Sequence, residues 1–343
     1  MDRQLTVSSS PHIRGPEDTR SIMFDVIIAL AFALALPCFF FGWRVAILTA
    51  ISVVSCVLFE WLYRKALKKT SSIRDLSAVV TGMLLAYCLP PSAPYWLPVI
   101  GGFFAIVIVK QLYGGIGKNF LNPALAARAF LTISFPAVMT AWTTPFSDLP
   151  LTPVVDTASA ATPPVDAVSV ATPLMQLKEG MLPDVKLIDM LLGQRAGSLG
   201  EVSALILLLG GLYLILRRVI SPRIPLLFMG TVALMTVLFP PADVDTVQWM
   251  LYNLLSGGLV LGAVFMATDY ATSPVTVRGQ VLYAVGCGLL TVFFRTFSSS
   301  AEGVCFAILL MNTLVWALDK VSRPRRFGVK WFARKMAKRG EAK

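Results

Sequence analysis

One candidate site is a glycine-rich turn that leads into an asparagine–proline pair. The turn occupies residues 114–117, Asn122 and Pro123 follow it, and Arg128 lies six residues after Asn122. Asn122 suits the N-cap and Pro123 the first turn of a helix, and helix starts attract anions through their free N–H groups. Arginine in an apolar segment is costly unless it is paired, so a functional role and a structural ion pair both remain open for Arg128.

A second stretch also joins exposed backbone to a helix start. Residues 193–197 (GQRAG) precede Ser198, and Glu201 follows Ser198 with the spacing of a capping box. Plain helix capping explains Ser198. The alternative is that a phosphate or a flavin ring rests on the exposed backbone beside this helix start.

The third stretch lies in residues 142–200, the only long polar interval of the chain. This interval is rich in Pro, Ala and Thr, and it contains the run DAVSVATPL at residues 166–174, which includes Thr172. An exposed loop threonine is usually only solvated, so composition alone assigns Thr172 no role.

Cysteine and histidine usage argues against metal and haem sites within the chain. No two cysteines form a CxxC pair, whereas iron–sulfur and structural zinc sites need clustered thiolates. The only histidine is His12, in the polar amino-terminal tail. The cysteines lie in apolar segments, as expected of small buried residues: Cys38, Cys56, Cys88, Cys287 and Cys305. The alternative is that one of them is a ligand to a metal cluster shared with a partner subunit.

These stretches are embedded in a strongly apolar chain. Of its 343 residues 56% are hydrophobic and only 14% charged, against about 25% charged in soluble domains. The net charge of +11 does not indicate nucleic-acid binding, because ten of the thirty Lys and Arg residues lie in residues 320–343. That tail is typical of a cytoplasmic anchor facing anionic lipid. No cleavable signal peptide is expected, since the first 20 residues are polar.

Apolar runs long enough to span a bilayer recur along the sequence. The ten segments are residues 22–41, 43–63, 76–91, 95–113, 122–141, 201–217, 222–240, 248–268, 278–295 and 301–319. Lys and Arg are concentrated in alternate connections. The connections 90–94 and 240–248 contain none, and the 142–200 loop has six acidic residues against three basic ones. This bias places both termini in the cytoplasm and the 142–200 loop outside.

We therefore expect an all-α integral membrane protein with about ten transmembrane helices in two inverted five-helix repeats. Residues 81–91 resemble residues 257–269, and five crossings per half would invert one half relative to the other. A long extracytoplasmic loop joins helices five and six. The expected order is a cytoplasmic tail (1–21), the first repeat (22–141), the loop (142–200), the second repeat (201–319) and a basic cytoplasmic tail (320–343).

Several motifs in this order resemble one family. The sequence SVATPL at 169–174, GSLGE at 197–201, NPALAAR at 122–128 and ATDYATSPVT at 267–276 are similar to the RnfD family of the Rnf electron-transport complex. The NqrB family of the sodium-translocating NADH:quinone reductase is related to it. The likeness covers essentially the whole chain.

The resemblance implies an FMN joined through its phosphate to the threonine of a Ser-Gly-Ala-Thr type motif. The matching residue is Thr172, with Ser169 and Ala171 in the same motif. Val170 stands where the family usually has glycine, and Ala167 replaces the glycine after the aspartate. The acceptor hydroxyl is retained, and a threonine hydroxyl can form a phosphodiester. Since the chain lacks haem ligands and a thiolate cluster, a tethered flavin would carry its redox chemistry.

The resemblance also implies a second, non-covalent flavin such as riboflavin, for which residues 114–128 and 267–276 are the candidates. Ser198, Asn122 and Arg128 complete the candidate cofactor-binding residues; no catalytic residue and no metal site are expected.

The implied function is that of a flavoprotein subunit in the bacterial inner membrane. It would relay electrons between reduced ferredoxin and NAD, or to a redox-sensing regulator, coupled to Na⁺ or H⁺ translocation. The expected partners are the A, B, C, E and G components of the Rnf complex, a flavin transferase and membrane lipid. No dinucleotide-binding fingerprint occurs, so the protein would be inactive alone. The alternative is an inverted-repeat solute channel or secondary transporter without a redox role.

Overall fold

The computed structural model describes residues 18–70, 72–146, 172–202, 204–241, 244–298 and 302–323, and all of its regular elements there are helical. The helices are α1 (Thr19–Phe41), α2 (Trp43–Ala66), α3 (Ser77–Tyr87), α4 (Trp96–Phe103), α5 (Pro123–Ser134), α6 (Pro136–Met139), α7 (Pro173–Lys178), α8 (Leu187–Leu192), α9 (Ala204–Leu216), α10 (Arg223–Leu238), α11 (Thr246–Leu255), α12 (Leu259–Leu261), α13 (Val277–Phe297) and α14 (Val304–Ser322). Two π-helices, Phe104–Gln111 and Gly262–Met266, continue α4 and α12. The short 3₁₀ helices are Ile73–Asp75 and Leu199–Glu201.

Helix length and surface chemistry identify a membrane protein. Helices α1, α2, α13 and α14 are long and apolar enough to cross a bilayer, and α11 with α12 and its π-helix forms a fifth candidate, bent by 63°. Large apolar side chains lie exposed on these helices, as expected of surfaces that face lipid: Phe32, Phe39, Val54, Leu58, Phe293 and Trp316. The prediction of an all-α protein is confirmed for the described residues, and four or five of its helices there are candidate membrane spans.

Each predicted apolar segment contains a helix, but three of the segments are interrupted. The segment 76–91 stops being helical at Tyr87, before the proline pair at 90–91. The segment 122–141 divides into α5 and α6 at Pro136, because proline has no backbone N–H to donate. The segment 248–268 divides at residues 256–258, where Gly257 adopts φ +66°.

At two of these interruptions an arginine side chain donates hydrogen bonds to the backbone carbonyls. Arg44 donates hydrogen bonds to the carbonyls of residues 91, 92 and 93 at 3.3, 3.2 and 3.0 Å. Arg295 donates to the carbonyls of Asn253 and Ser256 at 2.7 and 2.9 Å. Unpaired carbonyls are costly away from water, so these arginines allow helices to end inside the bundle.

Several helices that are distant in sequence contact one another. Helix α1 packs on α9, and α5 packs on α14. Among neighbouring helices, α2 packs on α3 and α4, while α10 packs on α11 and α13. Helix α3 packs on α5, and α11 packs on α7, the helices that follow the candidate residues Asn122 and Thr172.

Candidate functional site

Thr172 is the N-cap of α7, the first helix after the undescribed residues 147–171. Its carbonyl accepts hydrogen bonds from the backbone N–H of Met175 at 2.9 Å and of Gln176 at 3.3 Å. Its side chain, 7% exposed, makes no capping hydrogen bond within the described part of the chain. The Thr172 hydroxyl therefore does not contribute to capping the helix that it begins. The other two motif residues, Ser169 and Ala171, lie outside the described residues.

A small apolar cluster holds α7 against α11 and α8. Leu174 and Leu177 of α7 pack with Met190, Trp249 and Tyr252. Tyr252 also donates its phenolic hydrogen to the carbonyl of residue 185, at 2.8 Å. The position of Thr172 is thus fixed by burial of its own helix.

A cavity of about 310 Å³ lies beneath α7. Its walls come from α7, α10, α11 and α13 and include Leu174, Leu177, Trp249, Asn253, Val292 and Arg295. Arg295 is 7% exposed, and its Nε has no hydrogen-bond partner among the described residues. Leu174, two residues after Thr172, therefore lines the same cavity as this buried guanidinium.

Ser198 does not cap a helix by the predicted capping box. Within the described residues its hydroxyl makes no N-cap hydrogen bond, and it donates instead to Glu201 Oε1 at 2.8 Å. Arg195 donates from Nε and Nη2 to the Glu201 carbonyl, at 3.1 and 2.7 Å. Burial lowers the pKa of Arg195, and the nearby Glu201 carboxylate partly offsets that effect. The capping-box prediction was wrong because the Glu201 carboxylate captures the Ser198 hydroxyl and the backbone forms a 3₁₀ turn.

Arg128 is buried and paired. It forms an ion pair with Glu302, which supports the structural interpretation of Arg128. Glu201 interacts electrostatically with Arg128, Arg195 and Arg295. Three arginines and two glutamates therefore form one charged cluster beside the breaks in α3 and α11–α12, with an excess of one positive charge.

Asn122 caps α5 as predicted. Its Oδ1 accepts hydrogen bonds from the N–H of Ala124 at 3.0 Å and of Leu125 at 3.3 Å. Its Nδ2 donates to the Met266 carbonyl at 3.2 Å. Asn122 thus links the start of α5 to the end of the π-helix that follows α12.

The two segments predicted to surround a second flavin meet at a smaller cavity. This cavity measures about 100 Å³. Lys110 and Ser77 line it, and so do residues of both segments. The lining residues from the two segments are Ile116, Asn119, Asn122, Pro123, Ala124, Thr268, Asp269, Tyr270 and Ala271. Asn122 therefore lines the small cavity, whereas Thr172 begins the helix whose Leu174 and Leu177 line the large one.

Sequence reasoning missed Arg295, Arg195 and Trp249 as site residues. An arginine at the end of the apolar run 278–295 was the available signal for Arg295, as an arginine inside the run 122–141 was for Arg128. All five cysteines are free thiols. In the described ranges no group of three or more His, Cys, Asp or Glu side chains is placed to hold a metal ion.

Comparison with known proteins places the chain in a family. Residues 6–328 match the model of the NQR2, RnfD, RnfE family. The D component of the Na(+)-translocating ferredoxin:NAD(+) oxidoreductase complex of Acetobacterium woodii is 46% identical, covering 95% of this chain and 96% of the relative. The D component of the proton-translocating ferredoxin:NAD(+) oxidoreductase complex of Clostridium ljungdahlii is 38% identical (95% and 97%). The D component of the ion-translocating oxidoreductase complex of Stutzerimonas stutzeri is 39% identical (90% and 91%).

Proposed function

Because the chain belongs to the NQR2, RnfD, RnfE family, we propose that it carries electrons on an FMN attached to Thr172 within an ion-translocating oxidoreductase complex. Its relatives are subunits of ferredoxin:NAD(+) oxidoreductase complexes that translocate Na⁺ or protons. It is accordingly a multi-pass membrane subunit of such a complex and works with other subunits. These relationships disfavour the alternative of a solute transporter without a redox role.

The state of Thr172 is the observation that carries the flavin proposal. Its hydroxyl takes no part in capping α7 within the described residues, so a phosphodiester at Oγ removes no capping bond. Because the Thr172 side chain is buried, the flavin must be attached before α7 packs on the bundle. Otherwise α7 must move away from the bundle while the flavin transferase acts. Bound there, the flavin would supply the electron-carrying chemistry, and the chain supplies its anchor and surroundings.

The charged cluster next to this end of the bundle supports binding of an anionic cofactor. Its excess positive charge lies in a low-dielectric setting, where it favours a phosphate or an electron-rich ring more strongly than it would in water. Ser198 and Arg128 contribute indirectly, by holding Glu201 and Glu302. We assign both residues to the support of the site and not to direct contact with flavin.

We propose the cavity at Asn122 and Asp269 as the place of a second, non-covalent flavin. Residues from both candidate segments line it. Its volume of about 100 Å³ is below the roughly 300 Å³ at which ligand pockets begin. The glycine-rich turn at 114–117 must therefore move outward for a flavin to enter. Asn122, which links the start of α5 to the end of the π-helix before residues 267–276, would lie at the inner end of this flavin site.

For the membrane arrangement we propose ten crossings in two inverted five-helix repeats, with both termini in the cytoplasm of a bacterial cell and residues 142–200 outside its inner membrane. The pairing of α1 with α9 and of α5 with α14 supports a two-fold relation between the halves. The five shorter apolar helices bring the number of candidate crossings to ten. The A, B, C, E and G components of the complex, a flavin transferase and anionic lipid are the partners that this arrangement would meet.

In-gel fluorescence after denaturation tests the attachment. The complex, produced together with a flavin transferase, is expected to show a fluorescent band at the mass of this protein, and Thr172→Ala is expected to abolish it. Thr162→Ala is the matched control, because Thr162 is also followed by proline in the same loop. A band that survives in Thr172→Ala, or is lost in Thr162→Ala, would contradict the proposal.

A further inference from the structure

We propose that the corner between residues 61–70 and residues 111–121 binds the phosphate group of an anionic phospholipid. Arg64 and Gln111 are the residues that would hold it. This inference goes beyond the proposed electron transfer and does not depend on the flavin at Thr172. It gives anionic lipid, one of the proposed partners, a defined site, and only the assignment of that lipid to the cytoplasmic leaflet rests on the proposed membrane arrangement.

Two buried N–H donors without acceptors lie at this corner. Gln111, at the end of the π-helix Phe104–Gln111, is 2% exposed, and its Nε2 has no hydrogen-bond partner among the described residues. Nε of Arg64 likewise finds no acceptor there, although Arg64 Nη1 donates to the Thr70 carbonyl at 2.8 Å. Because a buried donor without an acceptor lowers stability, an acceptor supplied from outside the chain would be bound favourably.

The Arg64 and Gln111 side chains meet at Gly115. A Cβ on Gly115 would lie 2.7 Å from Arg64 Nη2 and 3.7 Å from Gln111 Oε1. Gly115 also has φ +96°, in the region that residues with side chains rarely adopt. Glycine therefore lets the guanidinium and the amide approach the turn together. A phosphate offers several acceptor oxygens to such a pair of donors, and its hydrogen bond to a guanidinium is charge-assisted.

The charged residues of the two segments are all basic. Residues 61–70 and 111–121 contain no Asp or Glu and five basic residues: Arg64, Lys65, Lys68, Lys69 and Lys118. Lys118 approaches the turn, since a Cβ on Gly114 would lie 2.7 Å from its Cδ. Glu60, one turn before Arg64 in α2, is already paired with Lys110. The positive charge of this corner is therefore available to an anionic lipid.

The backbone at the end of α2 keeps one of these charges in an unfavourable conformation. The N–H of Lys69 donates to the Arg64 carbonyl at 2.9 Å. The N–H of Lys68 donates to the Lys65 carbonyl at 3.2 Å. Lys68 has φ +52°, at the position that usually holds glycine when a helix ends in this pattern. Lysine is less favourable than glycine there, and its ammonium group adds to the charge that an anionic lipid would balance.

Aromatic side chains favour a lipid as the source of the phosphate. Trp61 is exposed, and Lys65 Nζ lies 4.5 Å from the centre of its ring. Tyr113 and Phe120, on either side of the turn, are also exposed, and their ring centroids are 4.9 Å apart. Exposed Trp and Tyr are typical of the membrane–water interface, where lipid headgroups lie. A free phosphate ion has the same oxygen chemistry but no need of this setting.

Native mass spectrometry of the full-length protein in neutral-detergent micelles, titrated with phosphatidylglycerol, tests the site. Arg64→Gln is expected to weaken binding of the first lipid by about tenfold or more, because a charge-assisted hydrogen bond is lost. Arg223→Gln is the matched control, since Arg223 is an exposed arginine at the start of α10. Unchanged binding in Arg64→Gln, or equal weakening in both variants, would overturn the site.

Gln111→Leu separates lipid binding from a structural role. The leucine removes the unpaired buried donor, so the lipid-free protein is expected to be at least as resistant to a denaturing detergent as the unaltered protein. Its affinity for phosphatidylglycerol is expected to fall. Unchanged affinity would overturn the role of Gln111, and a fall in affinity accompanied by lower stability would assign Gln111 to the fold instead. This variant also decides if Arg64→Gln does not fold.

Inorganic phosphate distinguishes the two sources of the anion. In large molar excess over the lipid, it is not expected to displace phosphatidylglycerol from the unaltered protein. Displacement would overturn the lipid assignment in favour of free phosphate. The fluorescent band at Thr172 reports flavin attachment alone, so its absence would leave this inference standing, and a failure of lipid binding would leave the attachment standing.

Discussion

Removing one member of the Lys110–Glu60 ion pair is expected to destabilise the protein far more than removing both. The Lys110 Nζ lies 2.8 Å from Glu60 Oε2, and the two side chains are 4% and 1% exposed. Lys110 also donates to Ser77 Oγ at 2.8 Å, and Ser72 donates to Glu60 Oε1. The pair thus joins α2, the start of α3 and the π-helix Phe104–Gln111 beside the smaller cavity.

The magnitude follows from this burial. Losing one partner leaves an uncompensated buried charge, which costs about 3–5 kcal/mol, whereas replacing a buried pair by apolar or neutral groups is often close to neutral. We expect Lys110→Met to lower the free energy of unfolding by about 4 kcal/mol. Adding Glu60→Gln should recover most of that loss, because the glutamine can still accept from Ser72 and carries no charge.

Unfolding of the purified protein in mixed micelles, titrated with a denaturing detergent, would measure Lys110→Met, Glu60→Gln and the double variant. The double-mutant cycle is the decisive quantity, since it isolates the interaction between the two side chains. An additive cycle, in which the double variant is as unstable as the two single losses combined, would refute the reasoning.

Three further changes test other parts of the fold by the same unfolding measurement. Asn122→Ala should lower stability by about 1 kcal/mol or more, because α5 loses its N-cap; no change would contradict that role. Gly200→Ala should destabilise by about 1–3 kcal/mol through overpacking, since its Cβ would lie 2.5 Å from Leu261 Cδ2; a stabilised variant would contradict it. Burial raises the pKa of Asp269 in the connection after Met266. The contribution of the Asp269 carboxyl to the free energy of unfolding is therefore most favourable at pH values below the unfolded-state pKa of about 3.9. It declines as the pH rises through the folded-state pKa. Asp269→Asn should be more stable than the unaltered protein at neutral pH, and equal pH profiles would contradict this.

The sequence predicted the helices well because apolar length is a local property. The ten apolar runs coincide with helices within a few residues, and the N-cap at Asn122 followed from side-chain chemistry alone. The helices α7 and α8 were missed, since each is six residues long and lies in a polar interval without a periodic apolar pattern.

The contacts of the site could not be predicted from the sequence, because they join distant residues. Arg128 meets Glu302 across 174 positions, and Arg295 meets Asn253 across 42. A single sequence shows that a buried arginine needs a partner but not which one it finds. Ser198 was misassigned although its contacts are local, because the capping-box spacing does not determine which group the hydroxyl bonds: the Glu201 side chain accepts from the hydroxyl, and the Glu201 carbonyl accepts from Arg195.

Peptide mapping by mass spectrometry of the native complex tests the central claim most directly. The peptide that contains Thr172 is expected to carry the mass of one FMN joined through a phosphodiester, with fragment ions placing it on that threonine. Recovery of this peptide unmodified, from a complex that still oxidises its electron donor, would contradict the account.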